Sequence, residues 1–212
     1  MKFIMKGKQH YKRLPSLDIP TVLYYDVPNS FEALVEEYEK TVKDLKKKYH
    51  FYGRQGLYMD RVYQMAKDEL GSNFVGCVKP NDVQVWLHYY LKPHEMIITS
   101  TGTRKKEVNH AIPIVCETGN RFYAFDTLNT DGQYGYNNAQ AVFGQPYPEW
   151  FKHLFFVNKH PTQPERANDC SIRAVAWLML YHKYGHHLIQ MYVSNDWQLP
   201  RTNKIKLKIH RT

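Results

Sequence analysis

Cysteine is scarce in this chain of 212 residues: there are three, an odd number, at positions 77, 116 and 170. They include no Cys-x-x-Cys pair. That pattern argues against a disulfide framework and against a zinc site, and it fits a reducing compartment. Long apolar runs are missing too. No stretch approaches the ~18 apolar residues of a membrane span, so no membrane is expected among the partners. Met1-Lys2-Phe3-Ile4-Met5-Lys6 lacks the apolar core of a signal peptide, and the protein is expected not to be secreted. Internal repeats and low-complexity segments are absent, which removes solenoids and compositional linkers. Acidic residues are in deficit: 20 Asp and Glu against 29 Lys and Arg leave a net charge of +9. Such a surplus suits an anionic partner, nucleic acid above all, or serves solubility alone.

What is present is a globular composition. Hydrophobic residues make up 43% and aromatic residues 15%, with 17 Tyr, which argues against disorder. The length allows one domain with a full core. Residues 1–14 are basic and read as an extended arm. The patch at 22–25 reads as a short strand. Asn29 and Glu32 stand at capping-box spacing, and apolar residues then recur at helical spacing to Tyr49, predicting a helix over 30–49. Its Lys46-Lys47-Lys48 run is expected to complement the negative end of the helix dipole. A second helix is expected from Leu57 to a stop at Gly71, a strand over 74–78, a third helix over 83–91, and a strand over 96–100. A hairpin follows, with strands over 110–116 and 121–126 around a turn at 117–120. A long Asn-, Gly- and Tyr-rich loop occupies 127–149, a strand 153–157, and an apolar helix runs from Cys170 to Gly185. A short helix over 186–197 and a basic tail, 201–212, complete the chain.

The chemistry gathers at the start of the Cys170 helix. Free N–H groups and the macrodipole favour negative charge there, and a thiolate is the nucleophilic form of cysteine. A cysteine hydrolase also needs an imidazole, a group that orients it, and donors for the oxyanion. His110 opens the first hairpin strand and Asp126 closes the second. Antiparallel pairing brings both to the open end of the hairpin, where a carboxylate across one rung can reach an imidazole. Gln163, seven residues before Cys170, can offer its amide beside the Cys170 N–H. Taken singly, His110 reads as an ordinary strand residue, Asp126 as a turn former and Cys170 as a buried core thiol. The other two cysteines lie in apolar strand patterns and are expected to take no part in chemistry.

In this order the motifs resemble the clan CE cysteine proteases: adenain, the SUMO proteases and related enzymes of virophages and large DNA viruses. The matching segments are Asn109-His110-Ala111-Ile112-Pro113-Ile114-Val115, then Phe122-Tyr123-Ala124-Phe125-Asp126-Thr127-Leu128, then Gln163 and Cys170. The likeness covers about residues 96–185. It implies that His110 is the general base, Asp126 its orienting acid, Gln163 the oxyanion-hole side chain and Cys170 the nucleophile. Two positions depart from the family pattern. Ala111 stands where a shielding Trp is usual, so Trp150 or Trp86 would have to shield the site. Ser171 stands where Gly is usual, and its side chain is expected to crowd the oxyanion hole.

The fold expected is α+β: a small, mixed, mostly antiparallel sheet packed on a central Cys-bearing helix. A helical N-terminal portion (1–95) belongs to the same globule, followed by a catalytic core (96–200). The resemblance implies a viral maturation protease that needs no cofactor or metal and acts as a monomer on capsid or core precursors, in the virion and host cell. The basic termini would hold nucleic acid. The alternatives are a deubiquitinase or SUMO-type protease, a YopJ-like acetyltransferase, and a basic nucleic-acid-binding virion protein.

Overall fold

Helix α1 (Phe31–Lys48) forms because one face carries Phe31, Leu34, Tyr38, Val42 and Leu45, all buried. Its N-cap is Ser30, whose hydroxyl accepts the Ala33 N–H at 3.1 Å. The cap therefore lies one residue later than the Asn29–Glu32 box predicts, and Glu32 serves the first turn through the dipole alone. Helix α2 (Met59–Leu70) buries Val62, Met65, Ala66 and Leu70, and stops at Gly71, whose φ of 60° suits a glycine. Strand β1 (Phe74–Val78) follows. The computed structural model describes residues 28–52, 57–101, 110–119, 121–128, 154–158, 162–163 and 167–194. The basic termini, the strand expected at 22–25 and all but the first two residues of the loop expected at 127–149 lie outside them.

The third helix expected over 83–91 is not regular. A 3₁₀ turn (Pro80–Asp82) leads into a single α-helical turn, α3 (Val83–Val85), and then a π-helical turn (Trp86–Tyr90). The wider last turn closes with Leu91 N–H on the Trp86 carbonyl at 2.8 Å. Val83, Leu87 and Leu91 are all buried in the same cluster against the sheet.

Strands β2 (Met96–Thr101), β3 (His110–Thr118), β4 (Arg121–Ala124) and β5 (Leu154–Phe156) complete a five-stranded sheet in the order β1-β2-β3-β4-β5. The fold is α+β. The two central pairings are antiparallel and the two outer ones parallel. β1 belongs to the N-terminal portion, 1–95, expected to be mainly helical, so the sheet draws on both portions of the chain. β3 is buried from His110 to Cys116 because both faces are covered. Ala111 and Val115 join the cluster containing the long helices, and Ile112, Ile114 and Cys116 join the cluster beneath the 80–91 segment.

Helix α4 (Cys170–Tyr184) lies against β3 and is flanked by α1, α2 and the following helix, α5 (His186–Ser194). Every residue from Cys170 to Leu178 is buried, so no polar stripe remains. Trp177 stacks on Phe125 (centroids 5.2 Å apart) and on Tyr181 (6.0 Å), while Tyr38 and Tyr192 meet the Phe125 ring edge-on. This grip fixes the residue before Asp126.

Pro113 decides where the chain leaves the sheet. Its carbonyl accepts the Phe125 N–H at 3.2 Å, but it has no N–H to return. The β3–β4 pairing ends at Ile114↔Ala124. Beyond it the chain follows β5 instead, with Val157 N–H on the Ala124 carbonyl at 3.0 Å. Asp126 is thereby released toward His110.

Candidate active site

His110 Nε2 and Asp126 Oδ1 are 2.7 Å apart, with the two residues 4% and 0% exposed. Extending the hairpin register from Ile114↔Ala124 would put Asp126 opposite Ile112, so the contact is diagonal and not across one rung as expected. The same carboxylate oxygen accepts the Leu128 N–H at 3.0 Å. Nδ1 of His110 is buried and completes no hydrogen bond of full geometry. With Nε2 held by Asp126, Nδ1 is the ring atom left to the Cys170 thiol, which lies close enough that each group shifts the pKa of the other. Catalytic contacts are often this loose before a substrate tightens them.

The electrostatics follow from this packing. Burial by itself would raise the Cys170 pKa. The hydrogen bond and charge of His110 outweigh it, with smaller help from the Ala111 N–H and the Ser171 hydroxyl, and the thiol ends below its ordinary value. Burial by itself would lower the His110 pKa, but the Asp126 hydrogen bond, then Cys170, bring it up to about 9. The pair is thus biased toward thiolate and imidazolium. Burial pushes the Cys77 and Cys116 thiols up to about 12 with nothing to oppose it.

Gln163 is buried and held from three sides. Its N–H donates to the Thr127 carbonyl at 3.0 Å, and its Oε1 accepts the Thr127 hydroxyl at 2.7 Å. That second bond decides which way the amide points. The Nε2 donates to the carbonyl of Ala167, three residues before Cys170. An amide carries two N–H bonds, and one is committed there. Of the four expected residues, His110, Asp126 and Cys170 come together, and Gln163 is tied to Thr127 and to Ala167 ahead of Cys170.

The two positions that depart from the resembled pattern, Ala111 and Ser171, are both buried. Ser171 is buried beside Cys170, and its hydroxyl helps to hold the thiol pKa down. Trp86 packs beside Gly76 and Tyr90 with the cluster on the far face of the sheet, so it does not shield the thiol. Trp150 lies outside the described residues. Among the described residues, no group of three or more His, Cys, Asp or Glu is placed to hold a metal ion.

Several residues around the site escape sequence reading. Asn158 is buried and pairs with both backbone groups of Asp126: its Oδ1 accepts the Asp126 N–H at 2.9 Å and its Nδ2 donates to the Asp126 carbonyl. Its signal is positional: the β4–β5 register, carried two residues past Ala124↔Phe156, brings Asn158 opposite Asp126. Truncating Asn158 to Ala leaves two buried backbone groups unpaired, each worth about 1–3 kcal/mol. Urea unfolding of Asn158→Ala is expected to show a loss of about 2–6 kcal/mol, and a midpoint equal to that of the unaltered chain would discount the pairing. Lys46 lies in the last turn of α1, as expected of a dipole partner, and also reaches Asp169 at 2.5 Å. Arg173, inside the apolar helix run, is buried among acids. No family model, curated protein or solved structure matches this chain.

Proposed function

We propose that the chain is a cysteine endopeptidase of the clan CE type, acting as a viral maturation protease on capsid or core precursors. One observation carries the reading: the buried His110–Asp126 pair leaves Nδ1 to a thiol at the first turn of a helix. In this reading the Cys170 sulfur attacks the scissile carbonyl carbon, and the carbonyl oxygen becomes an oxyanion held by the Cys170 N–H and the Gln163 amide. His110 gives its proton to the leaving amine. It then takes a proton from water, which hydrolyses the thioester and restores the thiol. By resemblance to the family, the residue before the cut is small, often Gly.

The test is cleavage of a panel of peptides with small residues before the cut, with mass detection of a thioester on Cys170 at early times. Cleavage restricted to the C-terminal tail of a ubiquitin-like protein would move the assignment to a processing protease. Dependence on acetyl-CoA would move it to an acetyltransferase. No adduct on Cys170 with any of these substrates would end the enzyme reading.

Asp126→Asn is expected to lower kcat on the order of 10²–10⁴-fold without abolishing it, because the orienter acts through the imidazole. Asp126 is the strongest influence holding the His110 pKa up, so the alkaline limb of the pH–rate profile should move down from about 9. An unchanged alkaline limb would show that Asp126 does not partner the working histidine.

A further inference from the structure

Arg173 is a guanidinium in the first turn of the apolar helix α4, three residues after the nucleophile and 4% exposed. All three of its nitrogens are engaged. Nε donates to Asp169 Oδ1 at 3.1 Å, Nη1 to Glu39 Oε1 at 2.9 Å and to the Thr162 carbonyl at 3.0 Å, and Nη2 to Glu39 Oε2 at 3.3 Å. The Tyr38 hydroxyl donates to the Arg173 carbonyl at 3.4 Å, and the guanidinium lies over the Tyr38 ring at 5.8 Å. Asp169 turns its other oxygen to Lys46. Two cations meet two anions, as a buried charge requires.

The identity of the partners matters more than their number. Thr162 directly precedes Gln163, and Asp169 directly precedes Cys170. The N–H groups of Thr162 and Gln163 both donate to the Thr127 carbonyl at 3.0 Å while Arg173 holds the Thr162 carbonyl, so that peptide is fixed at both ends. The Arg173 N–H donates to the Asp169 carbonyl at 2.9 Å, and the side chain holds the Asp169 carboxylate. Glu39 and Tyr38 come from α1. We infer that Arg173, braced by Glu39, is a positioning residue that sets Gln163 and the Cys170 N–H as joint oxyanion donors. Helix α1 is then a working part of the site; this rests on the peptidase reading. An oxyanion hole tolerates little displacement, since a misplacement of about 1 Å can cost about 10²-fold. A guanidinium fork fixes angles that an ammonium cannot.

The test uses the full chain, a cleavable peptide, and alkylation of Cys170 by iodoacetamide across pH. Arg173→Lys is expected to lower kcat about 10²-fold and Glu39→Gln about tenfold, with KM within about twofold. Alkylation rate and pH midpoint should stay at the wild-type values in both, because His110, Ala111 and Ser171 are untouched. A merely structural role would instead move alkylation and turnover together. Because part of the effect of Arg173 runs through the Gln163 segment, adding Arg173→Lys to Gln163→Ala should slow turnover by less than Arg173→Lys slows the wild-type chain. Glu39 lies at the rim, so Glu39→Gln decides the matter if Arg173→Lys does not fold. Wild-type kcat in Glu39→Gln, multiplicative losses in the double variant, or alkylation falling in step with turnover would overturn the inference while the peptidase reading stands. A wild-type chain that never cleaves peptide would overturn that reading, and the inference with it.

Discussion

Cys170→Ala should remove peptide cleavage, a loss of about 10⁶-fold, and leave the fold in place. Loss of the nucleophile removes the covalent step, and neither His110 nor Gln163 can replace it. The structural change is small, because one sulfur leaves a packed helix start at about the cost of one buried methylene, ~1 kcal/mol. The same variant reads out thiol selectivity. Burial holds Cys77 and Cys116 up at about 12, whereas Cys170 lies below its ordinary value. Near neutral pH, iodoacetamide should label one cysteine in the native wild-type chain and none in Cys170→Ala. Labelling that survives in Cys170→Ala, or turnover that does, would mean that the nucleophile is elsewhere.

His110→Ala is expected to reduce turnover on the order of 10⁴–10⁶-fold and to move Cys170 in a direction that can be measured separately. In the native site, burial raises the thiol pKa and the His110 hydrogen bond and charge overcome it. Without the imidazole, burial dominates, and the alkylation midpoint should rise above that of an ordinary thiol. The wild-type rate should climb as pH passes the lowered thiol pKa. It should fall as the imidazolium is lost near a pH of about 9, because His110 is held up by Asp126 and by the thiolate itself. A midpoint in His110→Ala equal to the wild-type value would show that the two groups do not share a proton.

Much of the site could be read along the chain because it is built from local geometry. Helical spacing from Phe31 to Leu45 and the glycines at 71 and 185 mark helices by period and by stop, and the structure follows them. A hairpin necessarily returns its second strand to the start of its first, so His110 and Asp126 had to share one end. The diagonal offset between them was not visible, because it depends on Pro113 ending the ladder and on β5 drawing the chain away. Trp86 could equally have shielded the thiol or lain across the sheet, and only the path of the 80–91 segment places it on the far face.

Charged residues were the harder part. Lys46 lies in a lysine run at a helix end, and Arg173 interrupts an apolar run; both patterns usually mean a solvated side chain. Lys46 meets Asp169, 123 residues on, and Arg173 meets Glu39, 134 residues back, as well as Asp169 four residues before it. The sequence by itself determined helices α1, α2 and α4, the hairpin and the thiol at a helix start, since each follows from periodicity, turn chemistry or chain reversal over a short span. Only the tertiary structure decided the parallel edges of the sheet, the Asn158 clasp on Asp126 and the burial of Arg173. Each of these depends on which distant surfaces exclude water together, and no local period in the chain records that.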